Sequence, residues 1–389
     1  MLIGLIGSPN KGKSTFFSAI TSLEVEIADY PFTTIKPNTG TTYTTKLCPE
    51  KELGLKCKPR NSICINGIRH IPVTILDVAG IVPGASSGKG MGNQFLNDLS
   101  SADALIQVVD ISGGTDEMGN PSQNADPITE IEMVQQELIA WLSDIIKKHL
   151  GSAAKRIDGV LAITEILSNL KATEDQVKKA AELSNLTTSY ISWDDSGIKR
   201  FSEQFLRLNK PIIIAANKMD KSSANKIEEL SKKLTSTKII GCSAALELAL
   251  RKASSSKMIS YIPGSKEFSI LGNPGSDQLK ALEYIQKYLE KNGTTGVQEI
   301  INYVINTLLE KIVVYPVENE NKYTDHFGNV LPDAILLKNG STSFDLALHI
   351  HTEIAKRMLY AIDARSKNRL SKEHVLKDND IIKIVSAAK

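Results

Sequence analysis

Gly7-Ser8-Pro9-Asn10-Lys11-Gly12-Lys13-Ser14 fits the pattern GxxxxGK[ST]. It follows the apolar run Leu2–Ile6, which reads as a buried strand, and opens the stretch Lys13–Ser22, which reads as a helix. That strand–turn–helix setting is what the pattern requires. The glycines let the backbone turn so that successive N–H groups face one anion, and the helix N-terminus adds its positive end. In such a loop Gly7, Asn10, Lys11, Gly12, Lys13, Ser14 and Thr15 line a phosphate chain. Lys13 reaches the β- and γ-phosphates, and the Ser14 hydroxyl is placed for Mg²⁺.

Three further patterns follow in order. Asp77-Val78-Ala79-Gly80 ends the apolar strand that begins at Ile68. A carboxylate there can hold magnesium, and Gly80 lets the backbone approach the γ-phosphate. Asn217-Lys218-Met219-Asp220 follows the apolar run Pro211–Ala216. Asp220 can accept from N1–H and the 2-amino group of guanine, whereas adenine offers neither donor. Two charge-assisted bonds at about 1.5–3 kcal/mol each give about a hundredfold to ten-thousandfold preference for guanine. Lys218 lies along the base with its aliphatic stem. Ser243-Ala244-Ala245 follows the next strand candidate, Lys238–Gly241, and its backbone N–H groups can reach the guanine O6. Each pattern alone is weak. Their order, each at a strand's C-terminal end, carries the reading, because that edge is where open α/β sheets bind ligands.

Around this constellation the chain alternates apolar strands and helices, which predicts an α/β fold with a mostly parallel, doubly wound sheet. Asn66-Gly67 between Ser62–Ile65 and Ile68–Val78 predicts a tight hairpin. Between Pro127 and Leu208 helical periodicity takes over, as in Ile131, Val134, Leu138, Trp141, Leu142 and Ile145, and suggests an antiparallel pair of long helices. Lys147, Lys148, Lys155 and Arg156 stand near its first bend, as a solvated helix end or a surface for RNA. From Lys311 a small module begins, with strands at Ile312–Val317, Ala334–Leu337 and Ile381–Val385. Its helix is capped by Thr342 and expected to run to about Asp363.

The 389 residues carry a formal net charge of +2, so no strong overall field points to nucleic acid or an anionic membrane. The length suggests two or three domains. No apolar run is long enough to span a bilayer. Four cysteines are too few for a disulfide framework and fit a reducing compartment. Cys48, Cys57 and Cys64 lie in one short stretch, but there is no CxxC pair and no evident fourth ligand, so they read as reduced structural thiols.

Further segments resemble a known family. Tyr30-Pro31-Phe32-Thr33-Thr34-Ile35-Lys36-Pro37-Asn38 and Gly92-Asn93-Gln94-Phe95-Leu96 resemble the switch regions of the Obg-related GTPases, especially the YchF type. Val314-Tyr315-Pro316-Val317-Glu318 and Leu376-Lys377-Asp378-Asn379-Asp380 are similar to the start and end of its TGS domain, a β-grasp. The resemblance implies a P-loop G domain in 1–126 and 209–309, a helical, coiled-coil-like insertion in 127–208 and a TGS domain in 310–389. It implies a ribosome- or RNA-associated NTPase; the Asn217–Asp220 pattern makes GTP and GDP, with Mg²⁺, the expected nucleotides, and a cytoplasmic monomer is expected. It makes Thr34 the magnesium-binding switch threonine; the residues alone do not separate Thr33 from Thr34. Much of the YchF branch carries an NxxE-type motif and prefers ATP, which leaves an ATPase of the same fold as the alternative. A nucleotide-regulated RNA-binding module with negligible turnover is the other.

For hydrolysis, Lys13, Thr34 and Gly80 are the residues expected at the γ-phosphate. The position after the Asp77 motif, where many small GTPases orient water with glutamine, is Ile81, so slow intrinsic turnover is expected. The loop Ile111–Ala125 lacks the histidine that the bacterial branch uses. Asn10 resembles the asparagine that coordinates K⁺ in potassium-activated relatives; it equally serves to shape the loop.

Overall fold

The computed structural model describes residues 1–22, 38–78, 80–81, 83–84, 98–153, 159–186, 193–222 and 225–387. Thr33, Thr34, the segments 30–37 and 92–96, and Lys155 and Arg156 lie outside the described residues. The chain divides into two compact units, one from Met1–Leu23, Lys36–Gly40 and Thr74–Ile300, the other including Thr41–Val73 and Ile301–Lys389.

In the first unit, β1 (Leu2–Ile6), the end of β4 (Ile68–Asp77), β5 (Ala104–Asp110), β6 (Ile212–Asn217) and β7 (Ile239–Gly241) are neighbours in the order β4-β1-β5-β6-β7, all parallel. The apolar run Leu2–Ile6, and Ala104–Val109 broken only by the buried Gln107, suit strands covered on both faces. Helix α1 (Lys13–Thr21) buries Phe16, Ala19 and Ile20, spaced three and four apart on one face. Helix α3 (Pro127–Ala153) is 27 residues long. The expected pair of long helices is replaced by this one helix followed by shorter ones at Gly159–Ile166, Glu174–Leu183 and Asp195–Asn209. Thr173 forms a capping box with Gln176, and the Asp194 carboxylate accepts from Gly197 N, so the starts of the last two helices are written locally. These helices share one core with the sheet: Val134, Leu138, Leu142, Phe201 and Phe205 pack with Ile6, Leu76, Val78, Ile81 and Leu105.

The second unit holds the predicted hairpin. β3 (Ile63–Ile65) pairs antiparallel with β4, and Asn66 and Gly67 both have positive φ (51° and 77°), as a type I′ turn demands. Ahead of it stand the last residues of β2 (Thr39–Leu47) and the one-turn helix α2 (Glu50–Leu53). After a short antiparallel pair in the first unit, β8 (Ile259–Ser260) and β9 (Ser269–Ile270), the chain builds a second sheet in the order β11-β10-β14-β12-β13. Its strands are β10 (Lys311–Val317), β11 (Ile335–Lys338), β12 (Met358–Asp363), β13 (Arg369–Leu370) and β14 (Ile381–Ser386). Ile312 and Val314 face the helix Ser343–Ile350, while Val313, Tyr315 and Val317 face Cys48, Ile71 and Leu331, the two-residue period of a strand buried on both sides.

The helix from Thr342 is shorter than expected. Thr342 caps it with a box to Asp345, but it ends at Ile350; Thr352–Arg357 is a separate six-residue helix and Met358–Asp363 is a strand paired with β14. Periodicity in Ile354, Ala355, Met358 and Ala361 fits a helix, and pairing across the sheet overrides it. No helix among the described residues is long and apolar enough to cross a membrane.

Candidate functional site

The loop after β1 is held in the conformation its glycines permit. Gly12 has φ of 88° and caps α1. A Cβ there would stand 2.4 Å from Asn217 Nδ2, so a side chain is excluded by both backbone and neighbour. Asn10 also has positive φ (62°), and its Nδ2 donates to Gly119 O at 2.9 Å. Ser14, exposed, and Thr15, half-buried, stand in the first turn of α1, where backbone donors lack helical acceptors. Gly7 ends the strand, and its carbonyl accepts from Ile81 N at 3.1 Å.

Lys13 reaches across this loop. Its Nζ lies 2.9 Å from Asp77 Oδ1 and 2.6 Å from Val78 O. The cation expected on phosphate and the carboxylate expected near magnesium therefore face each other at one point. Gly80 packs against the same loop; a Cβ on it would lie 3.5 Å from Gly7 O and from the Pro9 ring. Ile81 is fully buried in the core, so its side chain holds the segment in place and offers nothing polar to water.

The third sequence pattern meets the first directly, and the fourth meets the third. Asn217, buried at the end of β6, donates from Nδ2 to Lys11 O at 3.0 Å and accepts at Oδ1 from Ala244 N, also at 3.0 Å. Lys218 adopts positive φ (63°) and sends Nζ to Asn10 O at 3.1 Å and Asp110 Oδ2 at 2.7 Å. Asp220 Oδ1 accepts from Ser243 Oγ at 2.6 Å, which fixes the carboxylate relative to the loop that carries Ala244. Gly7, Asn10, Lys11, Gly12, Lys13, Asp77, Gly80, Asn217, Lys218, Asp220, Ser243 and Ala244 thus occupy one linked set of strand ends. Hydroxyl and carboxylate oxygens at Ser14 and Asp77 are the hard donors that Mg²⁺ prefers.

Two anchors escaped the sequence reading. Asp110, at the end of β5, has a fully buried side chain that pairs with Lys218. Burial pushes its carboxyl upward, but the Lys218 ammonium and the hydroxyls of Ser112 and Thr115 outweigh it and hold it below the usual range. Its signal was an aspartate closing a strand otherwise free of charge. The Lys11 side chain turns away from the loop's mouth: Nζ binds Glu130 Oε2 at 3.0 Å and the carbonyls of Thr115 and Asp116 at 3.0 and 2.6 Å. Only its backbone N–H remains for a phosphate. Burial pushes Glu130 up to about 6 despite the lysine, and its Oε1 accepts from Ser8 N at 3.3 Å. In the sequence Glu130 was one more charge on an amphipathic helix.

Known proteins match this layout. Residues 2–155 match the family described as 50S ribosome-binding GTPase, 215–319 the G4 motif-containing domain of Obg-like YGR210-like GTPases, and 327–386 the TGS domain. The chain is 48% identical over its full length to an uncharacterized GTP-binding protein of Methanocaldococcus jannaschii, covering 100% of both chains. It is 30% identical to the ribosome-binding ATPase YchF of Bacillus subtilis over 76% of this chain and 79% of the other. The crystal structure of a GTP-binding protein from Pyrococcus horikoshii superposes with a TM-score of 0.81 at 39% identity, covering 100% of both chains.

Proposed function

This chain belongs to the Obg-related, YchF-like family of P-loop GTP-binding proteins with a C-terminal TGS domain, and on that footing we propose that it hydrolyses GTP to GDP and phosphate as a magnesium-dependent switch. The observation that carries the reading is the link between the two ends of the site. Asn217 ties the phosphate loop at Lys11 to Ala244, and Ser243 holds Asp220 at the base end. One purine triphosphate then has a cation at one end and a fixed carboxylate at the other.

Binding exchanges partners at Lys13. The ammonium moves its charge from Asp77 to the β- and γ-phosphates, and the N–H groups at the start of α1 add further donors. Ser14, Asp77 and Thr34 would hold the magnesium, which neutralises charge on the phosphates. Gly80, against the phosphate loop, places backbone close to the γ-phosphate, so loss of that phosphate alters the segment it begins. Asp220 accepts from the guanine edge while Ser243 prevents it from turning away. Ile81 cannot orient water, which implies slow intrinsic turnover. A K⁺ ion on the Asn10 side-chain oxygen would supply the missing charge, since the amide nitrogen is already engaged with Gly119.

The partner in this reading is the ribosome, which fits a cytoplasmic location; it rests on the name of the Bacillus subtilis relative. That same name favours a second reading, ATP hydrolysis on the same scaffold. Competition between GTP and ATP for the wild type and Asp220→Asn separates the two. A wild type that prefers ATP, or a variant with unchanged preference, overturns guanine recognition by Asp220.

A further inference from the structure

The fold gathers three cysteines that the sequence spaces too widely for a familiar metal motif. Cys48 follows β2, Cys57 lies in the loop after α2, and Cys64 sits on β3, brought back by the Asn66-Gly67 hairpin. The fourth group is Glu50, the first residue of α2. One side-chain ligand atom from each of Cys48, Glu50, Cys57 and Cys64 lies within 4.8 Å of all the others. We propose that these four side chains bind one divalent metal ion of the zinc class in a closed structural site.

The donor set supports this choice. Three sulfurs and one carboxylate oxygen suit tetrahedral Zn²⁺ and disfavour Mg²⁺ or Ca²⁺. With metal–sulfur bonds of about 2.3 Å, tetrahedral geometry sets sulfurs roughly 3.8 Å apart, so the group needs to contract by no more than about 1 Å. The carboxylate is already oriented: Cys57 N donates to Glu50 Oε2 at 2.8 Å, and Cys64 Sγ to Oε1 at 3.2 Å. All three cysteines are free thiols.

Arg69 is a second, independent observation. Its side chain is fully buried, with Nη1 on Ser62 Oγ at 3.0 Å and Nη2 on Leu331 O at 2.8 Å. Its guanidinium carbon stands 5.4 Å from the centre of the Tyr315 ring, it forms no ion pair with a carboxylate among the described residues, and a buried cation of that kind needs compensation. It stands opposite Cys64 in the β3–β4 pair. A zinc ion with three thiolates and a carboxylate has a net charge of −2, of which Arg69 offsets one unit. The ion's role is mechanical, because four protein ligands leave no open position. It clamps a segment whose only regular elements are the four residues of α2 and the three of β3.

The test uses the full-length protein. Elemental analysis after purification without chelator should find about one zinc per chain. After chelator treatment and reduction, added Co²⁺ should give an intense thiolate-to-metal band together with the visible bands of tetrahedral cobalt. Cys57→Ser and Cys64→Ser should each remove about a third of the charge-transfer intensity, one thiolate in three. Glu50→Gln should keep that band and weaken the affinity at least tenfold. Zinc-free reduced wild type that shows no thiolate band with Co²⁺ overturns the proposal. So does a band of unchanged intensity in both serine variants.

Discussion

Asn217 Nδ2 donates to the carbonyl of Lys11 at 3.0 Å, joining two loops that lie 206 positions apart in the chain. Its Oδ1 takes Ala244 N, so one buried amide fixes three strand ends at once. Asn217→Ala leaves the Lys11 carbonyl and the Ala244 N–H without these partners. It should cost about 2–4 kcal/mol of stability and lower nucleotide affinity as well. Chemical unfolding and calorimetric titration with GDP measure the two effects; a variant as stable as wild type refutes the bridging role.

Asp220→Asn removes the charged acceptor at the base end. The GTP-over-ATP affinity ratio should fall at least about a hundredfold, with GTP hit far harder than ATP. Ser243→Ala frees the carboxylate without removing it and should cost only about 1 kcal/mol of the same preference. Competition binding reads both.

Lys13→Ala should weaken GTP binding by about a hundredfold, the loss of charge-assisted bonds to phosphate. Hydrolysis should fall below detection. Lys13 and Asp77 are partly exposed, so the fold should survive; far-ultraviolet circular dichroism and the melting temperature check that.

The Asp110–Lys218 pair sets a pH dependence. The folded carboxyl titrates below its unfolded value of 3.8, so its stabilisation is complete above that value and fades as pH falls through the folded pKa. Asp110→Asn should destabilise by about 2–3 kcal/mol at pH 7, less than a fully buried pair because Lys218 is partly exposed. The gap between variant and wild type should narrow below about pH 4. A gap constant from pH 7 to pH 3 argues against the ion pair as its cause.

Turnover in K⁺ should exceed turnover in Na⁺ by about tenfold or more if Asn10 holds the cation. Equal rates would leave Asn10 as the residue that fastens Gly119 to the loop.

The nucleotide site was legible because its parts are local. Gly7, Gly12, Lys13, Asp77 and Asp220 each sit where a strand ends, and glycine spacing and strand pattern are visible in a short window. The supports were not. Asp110 and Glu130 act across 108 and 119 positions of chain, and their partners become neighbours only when the fold is complete. In the Cys48–Cys64 stretch the three thiols were visible but the role of Glu50 was not, since Cys64 meets it from β3, 14 positions away. In the C-terminal module, Met358–Asp363 carries a helical pattern that a strand partner overrules.

The bond between Lys11 and Glu130 has a mechanical meaning. Glu130 lies in the first turn of the 27-residue helix α3, and its carboxylate grips both Lys11 Nζ and Ser8 N of the phosphate loop. Through it the phosphate loop is fastened to the base of a helix about 40 Å long. Val134, Leu138 and Leu142 of that helix pack into one core with the sheet, so the loop is braced by an element whose own place is already fixed.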